Sequence, residues 1–162
     1  MNYETAFEIE YAVAIYFNYR VNVIVPNVYP MSFGIHPGGF EMDMAIMSAR
    51  GYLQEVEIKV SKADLINDAN KDKWRYYPFT RIKKLWFAIP EKMIECMGLV
   101  PDIAGILCVY KTGKVRAIRQ PKANNIAVPL TPIQQFKFAW LGAIRVWPMK
   151  HNILIDIHRG EK

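Results

Sequence analysis

Glu41-Met42-Asp43-Met44-Ala45-Ile46-Met47-Ser48, Ala49-Arg50-Gly51 and Tyr52-Leu53-Gln54-Glu55-Val56-Glu57-Ile58-Lys59-Val60-Ser61 run consecutively, and this stretch decides the fold. Both arms alternate with a period of two, the spacing of a strand whose successive side chains point to opposite faces. Met42, Met44 and Ile46 share one face of the first arm, and Glu41, Asp43 and Ala45 the other. Val56, Ile58 and Val60 share one face of the second arm, and Glu55, Glu57 and Lys59 the other. Ala49-Arg50-Gly51 serves as a tight turn, so the arms form a β-hairpin. Centred near Arg50, the hairpin pairs residues whose numbers sum to about one hundred. Asp43 then faces Glu57, and Glu41 faces Lys59, at roughly 5 Å between Cβ atoms.

Directly opposed carboxylates repel one another. A divalent cation between them reverses the balance. Mg²⁺ is a hard ion that prefers carboxylate oxygen and keeps several waters. Such an ion polarises a phosphoryl oxygen, acidifies a bound water and orients attack. Lys59 points to the same side, where it stabilises developing negative charge or helps to deprotonate the attacking water. The competing account is the solvated face of an ordinary hairpin.

Outward from this hairpin, Thr5 to Tyr19 has helical spacing. Val21 to Val25 is a β-branched strand ended by Pro26, and Asn27 to Phe40 is a loop rich in Pro and Gly. Ser61 with Asp64 forms a capping-box start for a second helix. Lys84 to Ile89 is a buried strand stopped by Pro90, and Glu91 to Met97 a short helix. Ile103 to Tyr110 and Val115 to Ile118 form another hairpin around Lys111-Thr112-Gly113-Lys114. Thr131-Pro132 starts a helix that runs to about Val146, with Thr as N-cap and Pro at the first position. Its Trp140 to Trp147 part is expected to pack its apolar side, against the domain or at a subunit interface. Asn152 to Ile157 alternates weakly and is expected to be an edge strand. This order predicts an α/β protein, a mixed sheet flanked by helices.

The length of 162 residues suits one domain spanning residues 1–162. No apolar run approaches the roughly 20 residues that a membrane span needs, and no signal peptide is evident, so no membrane partner and a cytoplasmic location are expected. Cys96 and Cys108 form no C-x-x-C pair and are expected to be reduced and partly buried. The net charge of +6 favours a polyanionic partner. Lys62, Arg75, Arg81, Lys83 and Lys84 are candidate phosphate contacts, with Trp74, Tyr76, Tyr77 and Phe79 among them to stack on bases.

Asp43 followed, after a turn, by Glu57-Ile58-Lys59 resembles the signature of the PD-(D/E)XK nuclease superfamily. Glu55 to Leu65 together with Lys84-Leu85-Trp86-Phe87-Ala88-Ile89-Pro90 resembles a bacterial and phage group that includes the MmcB-like DNA repair proteins. The resemblance covers roughly residues 5 to 92. Met42 stands where the name-giving Pro would precede the Asp. The resemblance implies a restriction-endonuclease-like αβββαβ core, here followed by a C-terminal hairpin and helix. It also implies a Mg²⁺ site at which Mn²⁺ can substitute, and a DNA substrate. Asp43 and Glu57 would be metal ligands and Lys59 the catalytic lysine. An acid from the first helix often joins them, and Glu10 suits that role.

Glu10 also stands on the stripe Tyr3, Phe7, Glu10, Ala14 and Phe17, where a buried carboxylate needs a partner such as a metal or Lys59. Reaching water at the stripe's edge is the alternative, and Glu8 is the second choice. Glu41 is a further candidate ligand, Glu55 is expected to be a surface acid, and His36 could line the site. The functional expectation is a Mg²⁺-dependent deoxyribonuclease of repair, recombination or phage DNA processing. The alternatives are a non-catalytic DNA-binding module and a junction resolvase acting as a homodimer.

Overall fold

The computed structural model describes residues 3–35, 40–69 and 81–160, the side chains of 69 and 157–160 excepted. Among them the order is α1 (Ala6–Tyr16), β1 (Val23–Val28), a 3₁₀ turn (Pro30–Phe33), β2 (Met42–Met47), β3 (Leu53–Ile58) and α2 (Lys62–Ala69). There follow β4 (Ile82–Pro90), a 3₁₀ segment (Glu91–Leu99), β5 (Gly105–Val109), β6 (Val115–Arg119), α3 (Pro132–Ile144) and α4 (Val146–Gly160). The strands form one six-stranded sheet in the order β1-β2-β3-β4-β5-β6. Neighbours are antiparallel from β1 to β3, parallel from β3 to β5, and antiparallel again at β6. The protein is therefore α/β, with a mixed sheet flanked by helices. Among the described residues no helix is long and apolar enough to cross a membrane.

The hairpin register is the expected one: Met44 pairs with Val56, Ala45 with Glu55, Ile46 with Gln54 and Met47 with Leu53. The burial is not. Met44, Ile46, Val56, Trp86 and Ala88 pack under Ile9, Ala12 and Val13 of α1. The opposite face holds Ala45, Met47, Leu53, Leu85, Phe87 and Ile89, covered by Leu65 of α2, the 3₁₀ segments and Phe138 of α3. A sheet covered on both sides has no solvated face, so the charges there are enclosed.

Pro26 lies inside β1 instead of ending it, in register with Met44. β1 is an edge strand, and an edge tolerates a residue without an N–H. The tail is the other correction: residues 152–157 belong to α4. Val146, Met149 and Ile153 repeat at helical spacing, and Pro148 falls in the first turn, where a missing N–H costs little. α4 and the outer side of α3 leave Ile133, Phe136, Trp140 and Trp147 exposed, so within one chain the apolar side of the Trp140 to Trp147 region is not covered. Both cysteines are free and buried.

Helix starts agree with their sequence signals. Thr5 with Glu8 and Thr131 with Gln134 form complete capping boxes. Gln134 does more than cap. Its Oε1 accepts from the Thr131 amide at 3.0 Å and from Nη1 of Arg81 at 2.9 Å, while its Nε2 donates to the Gly34 carbonyl at 2.8 Å.

Gly105 opens β5 directly across from Trp86. A Cβ there would stand 2.5 Å from the Trp86 ring and 2.8 Å from Pro121. Gly105→Ala is expected to cost about 1–3 kcal/mol, the range for overpacking a filled core. A lowered urea midpoint with an unchanged slope is the expected reading, and an unchanged midpoint would mean that the indole moves aside freely.

Candidate functional site

The β2–β3 ladder runs from Met47–Leu53 to Met44–Val56. Beyond it, the amide of Ile58 donates to Oδ2 of Asp43 at 2.8 Å. A side chain thus occupies the place of a ladder partner, and the carboxylate is fixed beside the end of β3. Lys59 continues that end, its own amide held by the Ala88 carbonyl of β4 at 3.1 Å. Its Nζ donates to Oε2 of Glu57 at 2.6 Å and to Oδ2 of Asp43 at 3.3 Å. Oδ1 of Asp68, from α2, lies 3.5 Å from the same nitrogen. Glu57 is 1% exposed, Lys59 7% and Asp68 1%, so this is a charge cluster inside the protein, open mainly at Asp43.

The electrostatics follow from enclosure. Burial pulls the Lys59 ammonium toward neutrality, but the Glu57, Asp43 and Asp68 carboxylates together outweigh it and hold the lysine charged well above its ordinary range. The Asp43 carboxyl is pushed up by burial and by Glu57, with Lys59 and the Ile58 amide opposing. Glu10, half-buried on α1, is pushed up by burial and then by Asp43, with Arg145 opposing. Arg145 is fixed near the α3–α4 junction, its Nη2 donating to the Asn27 carbonyl at 2.7 Å. Asn27 takes a left-handed φ of 48° and sits across from Asp43, between the Pro26–Met44 and Val28–Met42 pairs.

Asp43, Glu57 and Lys59 therefore come together, and Glu10 lies within electrostatic reach of Asp43. The expected stripe on α1 is displaced: Ile9, Ala12 and Val13 face the core, whereas Phe7 is 74% exposed. Glu55 is buried, not a surface acid, because α2 and α3 cover its side of the sheet. Glu41 is exposed. Asp68 is not among the residues that the sequence marks, where only the start of this helix at Ser61 and Asp64 stands out. Its signal is the three-residue spacing from Leu65, which places both on the buried side of α2.

Among the described residues, Arg81, Lys83 and Lys84 do not gather at this cluster. Lys62 is exposed in the first turn of α2. Arg81 donates to Gln134 and to the Pro129 carbonyl, and Lys83 to the Asn124 carbonyl at 3.0 Å. Lys84 pairs with Gln54, toward the hairpin-turn end of β3 and away from Glu57. Arg75, His36, Trp74, Tyr76, Tyr77 and Phe79 lie outside the described residues.

The donor set is oxygen-rich and suits a hard cation. Among the described residues no three His, Cys, Asp or Glu side chains close on one point as a ready cage. Mg²⁺ does not require one, since it is ordinarily held by one or two carboxylates, with waters and substrate phosphate completing the shell. Asp43 fits this use: its two hydrogen bonds both end on Oδ2, and burial and like charge work against its ionised form.

No protein-family model and no curated protein matches the chain. A solved structure of a protein of unknown function from Silicibacter pomeroyi is similar, with a TM-score of 0.61 at 18% sequence identity, over 94% of this chain and 91% of that one. At that identity the likeness is one of fold.

The raised Asp43 carboxyl has a testable sign. Between its ordinary value of 3.8 and the raised one, the folded protein keeps a proton that the unfolded chain has released. Stability therefore falls as pH rises through that window. Asp43→Asn is expected to unfold at a higher denaturant midpoint than the wild type at neutral pH in chelator. The difference should close below the window, where the carboxyl is protonated in both states. A variant less stable at neutral pH would mean that the Lys59 and Ile58 contacts outweigh the burial.

Proposed function

We propose that this protein is a Mg²⁺-dependent deoxyribonuclease of the PD-(D/E)XK type, with Mn²⁺ able to substitute. The observation that carries this reading is the meeting of Asp43, Glu57 and Lys59 at the ends of neighbouring strands, as the hairpin register requires. The succession α1, β1, β2, β3, α2, β4 supports it, being the αβββαβ order of a restriction-endonuclease-like core. A net charge of +6 suits a DNA substrate.

Asp43 and Glu57 would hold the ion, with Glu10 as a third acid. A bound Mg²⁺ supplies Lewis acidity toward a phosphoryl oxygen and a more acidic bound water. The chain's own contribution begins with Lys59. Kept charged by its carboxylates, it is a donor for the negative charge that gathers on phosphoryl oxygens during hydrolysis, and a poor base. Glu57 and Asp68 orient that ammonium, and the Ala88 carbonyl fixes its backbone.

A non-catalytic DNA-binding module on the same fold is the second reading. The 2.6 Å Lys59–Glu57 contact favours it, because the ammonium satisfies a carboxylate that the nuclease reading assigns to a metal.

Single-stranded, duplex and branched DNA incubated with Mg²⁺, Mn²⁺ or chelator separates these readings. Cleavage is expected with either ion and not with chelator. Asp43→Ala and Glu57→Ala should abolish it, and Lys59→Ala should lower its rate about 10²–10³-fold, the usual loss for a charge-stabilising donor. Turnover confined to branched substrates would mark a junction resolvase, for which a homodimer is expected. Binding without cleavage on every substrate would leave the binding module.

A further inference from the structure

The β5–β6 hairpin carries chemistry that the cluster above does not use. Two backbone hydrogen bonds close its tip: the Tyr110 amide donates to the Lys114 carbonyl at 2.9 Å, and the Gly113 amide donates to the Tyr110 carbonyl at 2.8 Å. Gly113 supplies the left-handed φ of 82° that the turn requires. Beside the tip lies a pocket of about 440 Å³ lined by Glu91, Tyr110, Lys111, Thr112, Lys114 and Arg116. Cations outnumber acids on that lining. Lys111 is engaged with Glu4 at 3.6 Å, whereas among the described residues Lys114 and Arg116 form no ion pair and both are exposed.

Topology brings this pocket to the acid end of the sheet. β3, β4 and β5 run parallel, with Ile58 beside Ala88 and Pro90 beside Val109. The carboxyl ends of all three strands, and the hairpin that follows β5, therefore share an end with Glu57 and Lys59. From β3 to β6 is three strand spacings, about 14 Å at ~4.8 Å each. That equals about four nucleotides along one strand of a duplex, at ~3.4 Å per nucleotide.

We infer that Lys114 and Arg116, at the mouth of this pocket, grip a backbone phosphate of a DNA strand whose neighbouring segment lies at Asp43, Glu57 and Lys59. The inference rests on the proposed reading for its substrate class and not for cleavage. Lys111 and the Thr112 hydroxyl add donors, and Glu91 opposes, so the grip is a positioning contact of moderate strength. It carries no sequence information, as expected for phosphate contacts.

The test measures binding of a labelled duplex to the full chain in chelator across a salt series. Each phosphate contact contributes about 0.9 to the slope of log affinity against log salt. The Lys114→Gln, Arg116→Gln double variant, which gives up that one phosphate, should therefore show a slope shallower by about one. Lys150→Gln, an exposed charge on α4, should leave the slope unchanged. Shortening the duplex until it no longer reaches the pocket should erase the difference between wild type and double variant. An unchanged slope in the double variant, an equal change in Lys150→Gln, or absence of salt-sensitive binding by the wild type would each overturn the inference. Cleavage with an unchanged slope would sink this contact and leave the nuclease reading intact. A shallower slope without cleavage in any divalent ion would do the reverse.

Discussion

The contact between Nζ of Lys59 and Oε2 of Glu57, 2.6 Å long and almost wholly enclosed, organises the end of the sheet around it. Either charge alone in that position would cost several kcal/mol, and removing one partner of such a pair ordinarily costs about 3–5 kcal/mol. The pair therefore has to form together and stay together. Its neighbours follow from that requirement. Asp43 turns onto the Ile58 amide where the ladder stops, and α2 brings Asp68 to the same ammonium. Asp43 is the most exposed of these groups, which makes it the point where the cluster meets solvent.

Local features of the sequence were legible wherever one residue type has one geometric consequence. Alternation fixed the faces of β2 and β3, the turn fixed their register, and Thr131-Pro132 marked the start of α3. Alternation does not say what covers a face. The enclosure of Glu55, Glu57 and Lys59 depends on α2 and α3, which are distant in sequence, so a hairpin that could have been half-solvated is buried on both sides. The same limit hid Asp68, whose importance lies in what α2 packs against. Pro26 and the 152–157 segment were misread because an edge position and a first helical turn each excuse what an interior strand or helix does not.

Charges adjacent in sequence need not be adjacent in space. Arg81 and Lys83 look like part of one basic cluster, yet they brace the 124–134 segment, their donors turned inward to Asn124, Pro129 and Gln134. Lys114 and Arg116 come later in the chain but reach the acid end, because parallel pairing stacks the ends of β3, β4 and β5. On the other flank, Asn27 turns its carbonyl to Arg145 at a backbone angle that a non-glycine residue adopts at a cost of about 1–3 kcal/mol.

Gln134 ties the helix start at Thr131, the head of β4 at Arg81 and the loop at Gly34 through one amide. Such a clasp makes fraying contagious. A protease or a rise in temperature that loosens any of those segments costs the other two a shared hydrogen-bond partner, so the head of α3, the head of β4 and the loop at Gly34 would loosen in concert.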